Sequence, residues 1–490
     1  MKGLDAVVCG LLDSGVKMVT GVPGFPITEL MEALGDPASD PVFKYGVPRH
    51  EWSVNEKVAL ELALGSSVCG ERSAVITKHV GMNILADPLV TSATHTIGAG
   101  VVIIAGDDPG VQKSQNEQDS RFYGVIAEVP VFDPSSPQAA YKSIREAFEL
   151  SEKVSAPAII RITDRLLKSE GKFTRKKESI VPPYIDKKIW YFTMLGKHQL
   201  FHGKSFLEMC EYAESSILNV YTKRSRLGII SSGFPSSLVD SIIPPDYSHL
   251  SLGIVNPLPA DLIERFIREH DRVLVVEETE PVIEKQLSKR VLGKLTGHMH
   301  YGIVEVGDIQ KAIGSIHKDT VMEEIIPQTI EERGARPICE DCPYLPLFKA
   351  IKELDVPVAG DLGCSIMTAS PPLSLLDAAF SLGSSIATAS GFNRKGIAII
   401  GDFGLAHSGV AGLINAVQNK HELVVVVLQN EVAAMTGGQD VPDLTGLVSS
   451  YVRDTEIIDP QDNDLKDKLL KKLKKKGISV LLARGLCPRY

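Results

Sequence analysis

Apolar and polar positions in the first 165 residues alternate between two periods. Leu4, Val7, Val8, Leu11 and Leu12 recur at helical spacing and predict an amphipathic helix over about 4–17. Short continuous apolar runs follow: KMVTGV (17–22), SAVIT (73–77), GVVIIA (100–105) and PAIIRI (157–162). With helical patterns between them, they predict buried strands of a parallel α/β sheet. Residues 166–224 are basic and aromatic without clear alternation, and predict a linker plus a helix around FLEMCEYAESSI. A second α/β unit follows, with strands LGIIS (227–231) and VLVVE (273–277) around the helix ADLIERFIREH. The polar stretch VMEEIIPQTIEERGARP (321–337) reads as the next boundary. A third unit begins at Cys339, with strands PVAGD (357–361), GIAIIGD (396–402) and ELVVVVLQN (422–430). No period of 20–50 residues recurs, which excludes a solenoid. The expectation is a multi-domain α/β fold with three parallel-sheet domains.

Composition narrows the function classes. A chain of 490 residues with 44% hydrophobic and 23% charged residues has the make-up of a globular protein with several cores. No apolar run approaches the roughly 18 residues of a membrane span. Asp5 and Asp13 interrupt the first apolar pattern, which is a helix rather than a signal peptide, so the cytoplasm is the expected location. A net charge of −9 argues against nucleic acid as the main partner. The basic run LKDKLLKKLKKKG (465–477) places Leu465, Leu469, Leu470 and Leu473 on one side and predicts a surface helix with a solvated lysine face. Cys9, Cys69 and Cys210 are isolated, whereas Cys339, Cys342, Cys364 and Cys487 are gathered in the last third.

The segment GDFGLAHSGVAGLINAVQNKHELVVVVLQNEVAAMTGGQ (401–439) carries the most chemistry. A right-handed crossover puts Asp402 and Asn430 at the carboxyl ends of parallel strands, the edge at which open α/β sheets bind ligands. Ser408 is the expected cap of the intervening helix. A carboxylate and an amide oxygen are hard ligands, which with a backbone carbonyl and diphosphate oxygens can complete the octahedral shell of Mg²⁺. Gly401, Gly404 and Gly409 let backbone approach phosphates. Taken alone, the pair equally suits an ordinary βαβ unit ending in Asp and Asn.

The whole string resembles the thiamine-diphosphate motif, GD followed by roughly 25–30 residues and then N. Val432 matches the position that gives a backbone carbonyl to the metal, and Phe403 stands where the motif has a third glycine. The tail AAMTGGQ (433–439), with Thr436 and Gly437, resembles 2-oxoacid:ferredoxin oxidoreductases. Further strings extend the resemblance over nearly the whole chain, specifically to the α subunit of indolepyruvate:ferredoxin oxidoreductase. They are GVPGFPITEL (21–30), EWSVNEKVALELALG (51–65), KHVGMN (78–83), SQNEQDSRFYG (114–124), NPLPADLIERF (256–266), VLVVEETEPVIEKQL (273–287) and GDLGCS (360–365).

The resemblance implies a pyrimidine-binding domain at 1–165 and a linker or helical insert at 166–224. It implies a transketolase C-terminal-like domain at 225–312, a linker at 313–334 and a diphosphate-binding domain at 335–490. It implies thiamine diphosphate and Mg²⁺, the latter on Asp402, Asn430 and Val432. Gly401, Phe403, Gly404, Thr436 and Gly437 are implied cofactor contacts. Of Glu51, Glu56 and Glu61, Glu56 matches the glutamate that activates the cofactor's aminopyrimidine, and Thr28 matches a substrate-contacting threonine. His79 contacts a carboxylate or cofactor, or is a hydrogen-bonded structural histidine. Arg121 pairs with a carboxylate ligand, or forms a salt bridge to Asp119 or Glu117.

The implied reaction is oxidative decarboxylation of a 2-oxoacid, favouring aryl pyruvates such as indolepyruvate, with coenzyme A taking the acyl group and ferredoxin the electrons. The implied partner is a smaller β subunit, in an α dimer or α2β2 assembly. The family usually continues into a ferredoxin-like domain, and this sequence reaches Tyr490 without such cysteine runs. In related enzymes a CxxC, a Cys in a GxGC-like turn and a distant Cys bind one 4Fe–4S cluster, so Cys339, Cys342, Cys364 and Cys487 are candidates for that cluster. Zinc and four free thiols are the alternatives. Lys471, Lys472 and Lys475, shortly before Cys487, form a candidate ferredoxin-docking face. A non-oxidative decarboxylase and a non-catalytic paralogue are the rival functions.

Overall fold

The apolar runs become the central strands of three sheets. The computed structural model describes residues 1–36, 46–176, 181–288, 291–321 and 338–490. The expected boundary at 321–337 therefore lies, beyond Val321, outside the described residues. The described residues form sixteen strands, and the chain divides into two compact units, Met1–Ile325 and Ile326–Tyr490.

In the first unit, β1 (Met18–Gly21), β2 (Arg49–Trp52), β3 (Ser73–Lys78), β4 (Val101–Asp107), β5 (Val131–Phe132) and β6 (Ala158–Thr163) are all parallel. Strands β3, β4 and β6 are buried almost throughout, which is why they read as continuous hydrophobic runs. A second sheet holds β7 (Val220–Thr222), β8 (Leu227–Ser232) and β9 (Tyr247–Leu252), followed by β10 (Ile254–Asn256), which leaves it, and β11 (Arg272–Val276), which returns. Strand β10 pairs antiparallel with β5, so the first sheet has the order β10-β5-β6-β4-β3-β1-β2. The second has the order β11-β8-β9-β7, with β7 antiparallel at its edge. The third sheet, in the second unit, is wholly parallel: β12 (Val358–Ala359), β13 (Gly396–Gly401), β14 (Leu423–Gln429), β15 (Thr455–Ile458) and β16 (Ser479–Arg484), in the order β12-β13-β14-β16-β15.

A buried ionic network joins the first two sheets. Arg121 donates to Asp119 Oδ1 and Oδ2 at 2.9 and 2.6 Å, to Glu277 Oε2 at 2.9 Å and to Ser232 Oγ at 3.2 Å. Arg161 donates to Asp107 at 2.6 Å and to Asp133 at 3.3 Å. Both guanidiniums are sealed from solvent. Burial alone would raise the Asp119 pKa, but Arg121 and Arg161 hold it below the ordinary carboxylate range. The bridge to Asp119 is thus the reading of Arg121 that the fold adopts, and the guanidinium is not displayed to a ligand.

The lysine-rich helix departs from expectation in one respect. Leu465 and Leu469 are buried, with Leu470 and Leu473 packed beside them, as their spacing predicts. Lys472, however, is itself buried and donates to Asp454 at 2.8 Å, while Lys475 reaches the same carboxylate at 2.7 Å. Acidic residues on and beside β15 neutralise that side of the helix. Two of the three lysines of the supposed docking face are internally paired.

Candidate functional site

Strands β13 and β14 run in register, Gly401 opposite Leu428, so the residues that follow them emerge at one carboxyl edge. Asp402 and Asn430 are those residues, and both are buried. The Asp402 carboxylate accepts the backbone N–H of Phe403 on Oδ1 at 2.8 Å, and those of Asn430 and Glu431 on Oδ2 at 3.0 and 2.7 Å. Asn430 Oδ1 accepts the Val432 N–H at 3.3 Å. That contact requires the chain to reverse at Glu431, which has a φ of +63°. The Val432 carbonyl in turn accepts the Ala434 N–H at 2.9 Å.

The helix after β13 starts at Asp402, not at Ser408. It runs through Asp402–Gly404 and a π turn at Leu405–Gly409 into Val410–Gln418. Ser408 does not cap it; its hydroxyl donates to the Leu382 carbonyl at 3.1 Å. The π turn lays Gly409 against β13, where a Cβ would come within 2.5 Å of Ile400 Cδ1.

Burial pushes the Asp402 carboxyl up to about 6, against the backbone N–H groups that favour its charged form. A buried carboxylate, one amide oxygen and a backbone carbonyl form an all-oxygen donor set. That set fits a hard divalent cation which draws its remaining ligands from a diphosphate. Among the described residues no three His, Cys, Asp or Glu side chains are grouped to hold a metal by themselves. Thr436 lies in the following loop, where its N–H bonds the Ala433 carbonyl at 3.2 Å, and Gly437 is its partly buried neighbour.

Two neighbours went unremarked in the sequence. Asp361 follows β12 at the same sheet edge, is fully buried, and binds Ser365 Oγ at 2.9 Å and the Gly363 N–H at 3.1 Å through Oδ1. A Cβ on Gly404 would overlap its Oδ2. Gln439 has a buried amide whose oxygen and nitrogen both lack a hydrogen-bond partner among the described residues. The signal for Asp361 was present: a GD at a strand end, as at 401–402. Gln439 closes the AAMTGGQ string, but no local pattern separates its buried amide from that of an exposed loop glutamine.

The four cysteines of this unit are partly buried and free. Burial pushes the Cys364 thiol up to about 12, and Cys342, Cys487, Asp361 and Cys339 add to the shift. Cys339, Cys342 and Cys487 thus lie within electrostatic reach of Cys364, although among the described residues they do not form a ready ligand group. Thiols with such raised pKa values become thiolates when a positively charged metal centre compensates them.

In the first unit, Glu56 opens the helix Glu56–Val68, capped by Asn55, whose side chain accepts the Val58 N–H at 2.9 Å. Glu56 is buried, whereas Glu51 and Glu61 are exposed. A Cβ on Gly81 would stand 2.5 Å from Glu56 Oε1, so the glycine of KHVGMN makes room for that carboxylate. Thr28 closes the PGFPIT turn: its hydroxyl accepts the Gly24 N–H at 2.9 Å and donates to the Gly24 carbonyl at 3.1 Å. His79 is buried, with Nε2 3.1 Å from the Asn116 carbonyl and Nδ1 without a partner among the described residues.

Residues 361–480 match the model of the thiamine pyrophosphate enzyme C-terminal TPP-binding domain, the segment that contains Asp402 and Asn430. The chain is 34% identical over 489 residues to the indolepyruvate oxidoreductase subunit IorA of Methanothermobacter thermautotrophicus, covering 91% of this chain and 77% of that protein. It is 32% identical to the protein of the same name from Archaeoglobus fulgidus, over 99% of this chain and 86% of that one. Among solved structures, the 2-oxoglutarate:ferredoxin oxidoreductase of Magnetococcus marinus superposes with a TM-score of 0.51 at 16% identity. That match covers 64% of this chain and 65% of the other, and shows a shared fold.

Proposed function

Because the chain belongs to the family of indolepyruvate oxidoreductase IorA subunits, thiamine-diphosphate-dependent 2-oxoacid oxidoreductases, we propose that it oxidatively decarboxylates an aryl 2-oxoacid such as indolepyruvate. The acyl group passes to coenzyme A and the electrons to ferredoxin. The observation that carries this reading is the buried Asp402 carboxylate beside Asn430 at the carboxyl edge of β13 and β14.

When bound, thiamine diphosphate supplies the electron sink for loss of the substrate's carboxylate. The chain's own residues bind and orient it. Asp402, Asn430 and the Val432 carbonyl hold Mg²⁺, and Gly401, Phe403, Gly404, Thr436 and Gly437 line the diphosphate. Glu56 holds a proton at the pyrimidine ring, and burial keeps water from competing for it. Thr28 and His79 orient the 2-oxoacid. Cys339, Cys342, Cys364 and Cys487 hold a 4Fe–4S cluster. In this reading residues 1–165 bind the pyrimidine, 225–312 form the transketolase C-terminal-like domain and 335–490 bind the diphosphate. A smaller β subunit completes an α2β2 enzyme, or the chain forms an α dimer.

The test is an anaerobic assay of the chain with its smaller subunit, using several 2-oxoacids, coenzyme A and a viologen dye. Coenzyme-A-dependent dye reduction, fastest with aryl pyruvates, and about four irons per chain are expected. Aldehyde formed without any acceptor would instead identify a non-oxidative decarboxylase. Colourless, iron-free protein after anaerobic reconstitution would remove the cluster.

A further inference from the structure

Lys78 ends β3 at the carboxyl edge of the seven-stranded sheet, immediately before the helix His79–His95. Its side chain is partly buried and lies against the PGFPIT turn. A Cβ on Gly24 would overlap Lys78 Cδ and stand 3.0 Å from its Cγ, so the first half of that turn is shaped around the lysine stem. Among the described residues its ammonium has neither a hydrogen bond nor an ion pair within 4 Å, and only Asp108 and Glu56 act on it from a distance. The Asp108 oxygens are taken by the Gln112 and Lys113 N–H groups at 3.0 and 2.9 Å.

Burial accordingly pulls the Lys78 pKa down, since the two carboxylates do not make up for lost water. Its neighbour His79 is fully buried with Nδ1 unpartnered, and the helix behind them has no side-chain cap. An ammonium held in a partly desolvated place without an anion in contact carries a cost. A bound anion would remove that cost, and the uncapped first turn of the helix favours negative charge at the same place.

From this juxtaposition of Lys78 with Gly24, Thr28, Glu56 and the His79–His95 helix, we infer that Lys78 binds the carboxylate of the 2-oxoacid substrate. This rests on the function proposed above. The Asp402 site already answers to the diphosphate, and Lys78 packs on the turn that carries Thr28, the residue proposed to orient the acid, so the reacting acid's carboxylate is the anion within its reach and the phosphates of coenzyme A are the alternative that the test separates. Lys78 is a substrate-binding residue that sequence reading passed over, because it adjoins the more conspicuous His79.

The inference is tested on the chain with its smaller subunit, by calorimetry with thiamine diphosphate, Mg²⁺ and indolelactate, which keeps the carboxylate but has no keto group. Lys78→Met is expected to weaken indolelactate binding by roughly tenfold or more, the value of one charge-assisted hydrogen bond. Thiamine diphosphate affinity is expected to change by less than indolelactate affinity, because Lys78 and Glu56 act on each other only from a distance. Lys78→Arg should restore most of the indolelactate affinity, and Lys78→Gln, nearer in polarity, guards against a folding defect in the Met variant. Indolelactate binding unchanged in folded Lys78→Met and Lys78→Gln would overturn the inference. So would a loss confined to coenzyme A, which would make the anion a phosphate. Wild-type protein that binds no thiamine diphosphate would overturn the parent reading instead.

Discussion

A Cβ on Gly404 would overlap Oδ2 of Asp361, whose other oxygen is tied to Ser365 and Gly363. The carboxylate ends a short, fully buried side chain and has little room to yield. Gly404→Ala should therefore cost about 1–3 kcal/mol by overpacking. Gly401→Ala is the matched control: among the described residues, its chain neighbours aside, no atom lies within 4 Å of its added Cβ, and φ is −74°. Urea unfolding of both variants checks this; equal stabilities would mean that Asp361 moves aside.

Asp402→Asn removes the charge at the proposed cation site but keeps the shape. Losing a partner behind a metal ligand already costs roughly 10–100-fold in affinity, so losing the ligand charge itself should weaken Mg²⁺-dependent thiamine diphosphate binding by at least that much. Calorimetry with Mg²⁺ present reads it. Binding at wild-type strength would place the anchor elsewhere.

Arg121 answers three carboxylates and two backbone carbonyls in a place closed to solvent. Arg121→Met should destabilise the protein by roughly 3–5 kcal/mol, because it strands Glu277 as a buried charge and leaves Asp119 with Arg161 alone, 3.9 Å away. Denaturant midpoints with unchanged m-values would report it. A change in substrate KM at unaltered stability would instead restore Arg121 to ligand binding.

Lys294 supplies a pH test. Burial lowers its pKa from 10.5 to about 8, although Glu277 pulls the other way. Between those values the unfolded chain carries a proton that the folded chain has released, so stability rises with pH from about 8 to about 10.5. The penalty for burying the charged amine is fully present below about 8. The span corresponds to about 3 kcal/mol. The difference in unfolding free energy between wild type and Lys294→Met should change by that order across the window; a constant difference would refute the assignment.

Much of this protein is legible in its sequence, and the reason is periodicity and covalent order. Strands buried on both faces must be apolar throughout, so β3, β4, β6, β8, β11, β13 and β14 announce themselves. A crossover of one helix between β13 and β14 requires Asp402 and Asn430 to emerge at one edge. What tertiary structure alone decided depends on partners distant in sequence. The short strands β5 and β10 are too brief to carry a period, and they pair only because the second sheet reaches back to the first. The helix after β13 begins at Asp402 because backbone N–H groups from the far end of β14 converge on its carboxylate. Lys472 looked like a solvated charge until Asp454 and Glu456 met it. Lys78, Asp361 and Arg121 are ordinary charged residues in one dimension. Burial and the distance to the nearest countercharge separate their roles, and both are properties of packing that no local pattern encodes.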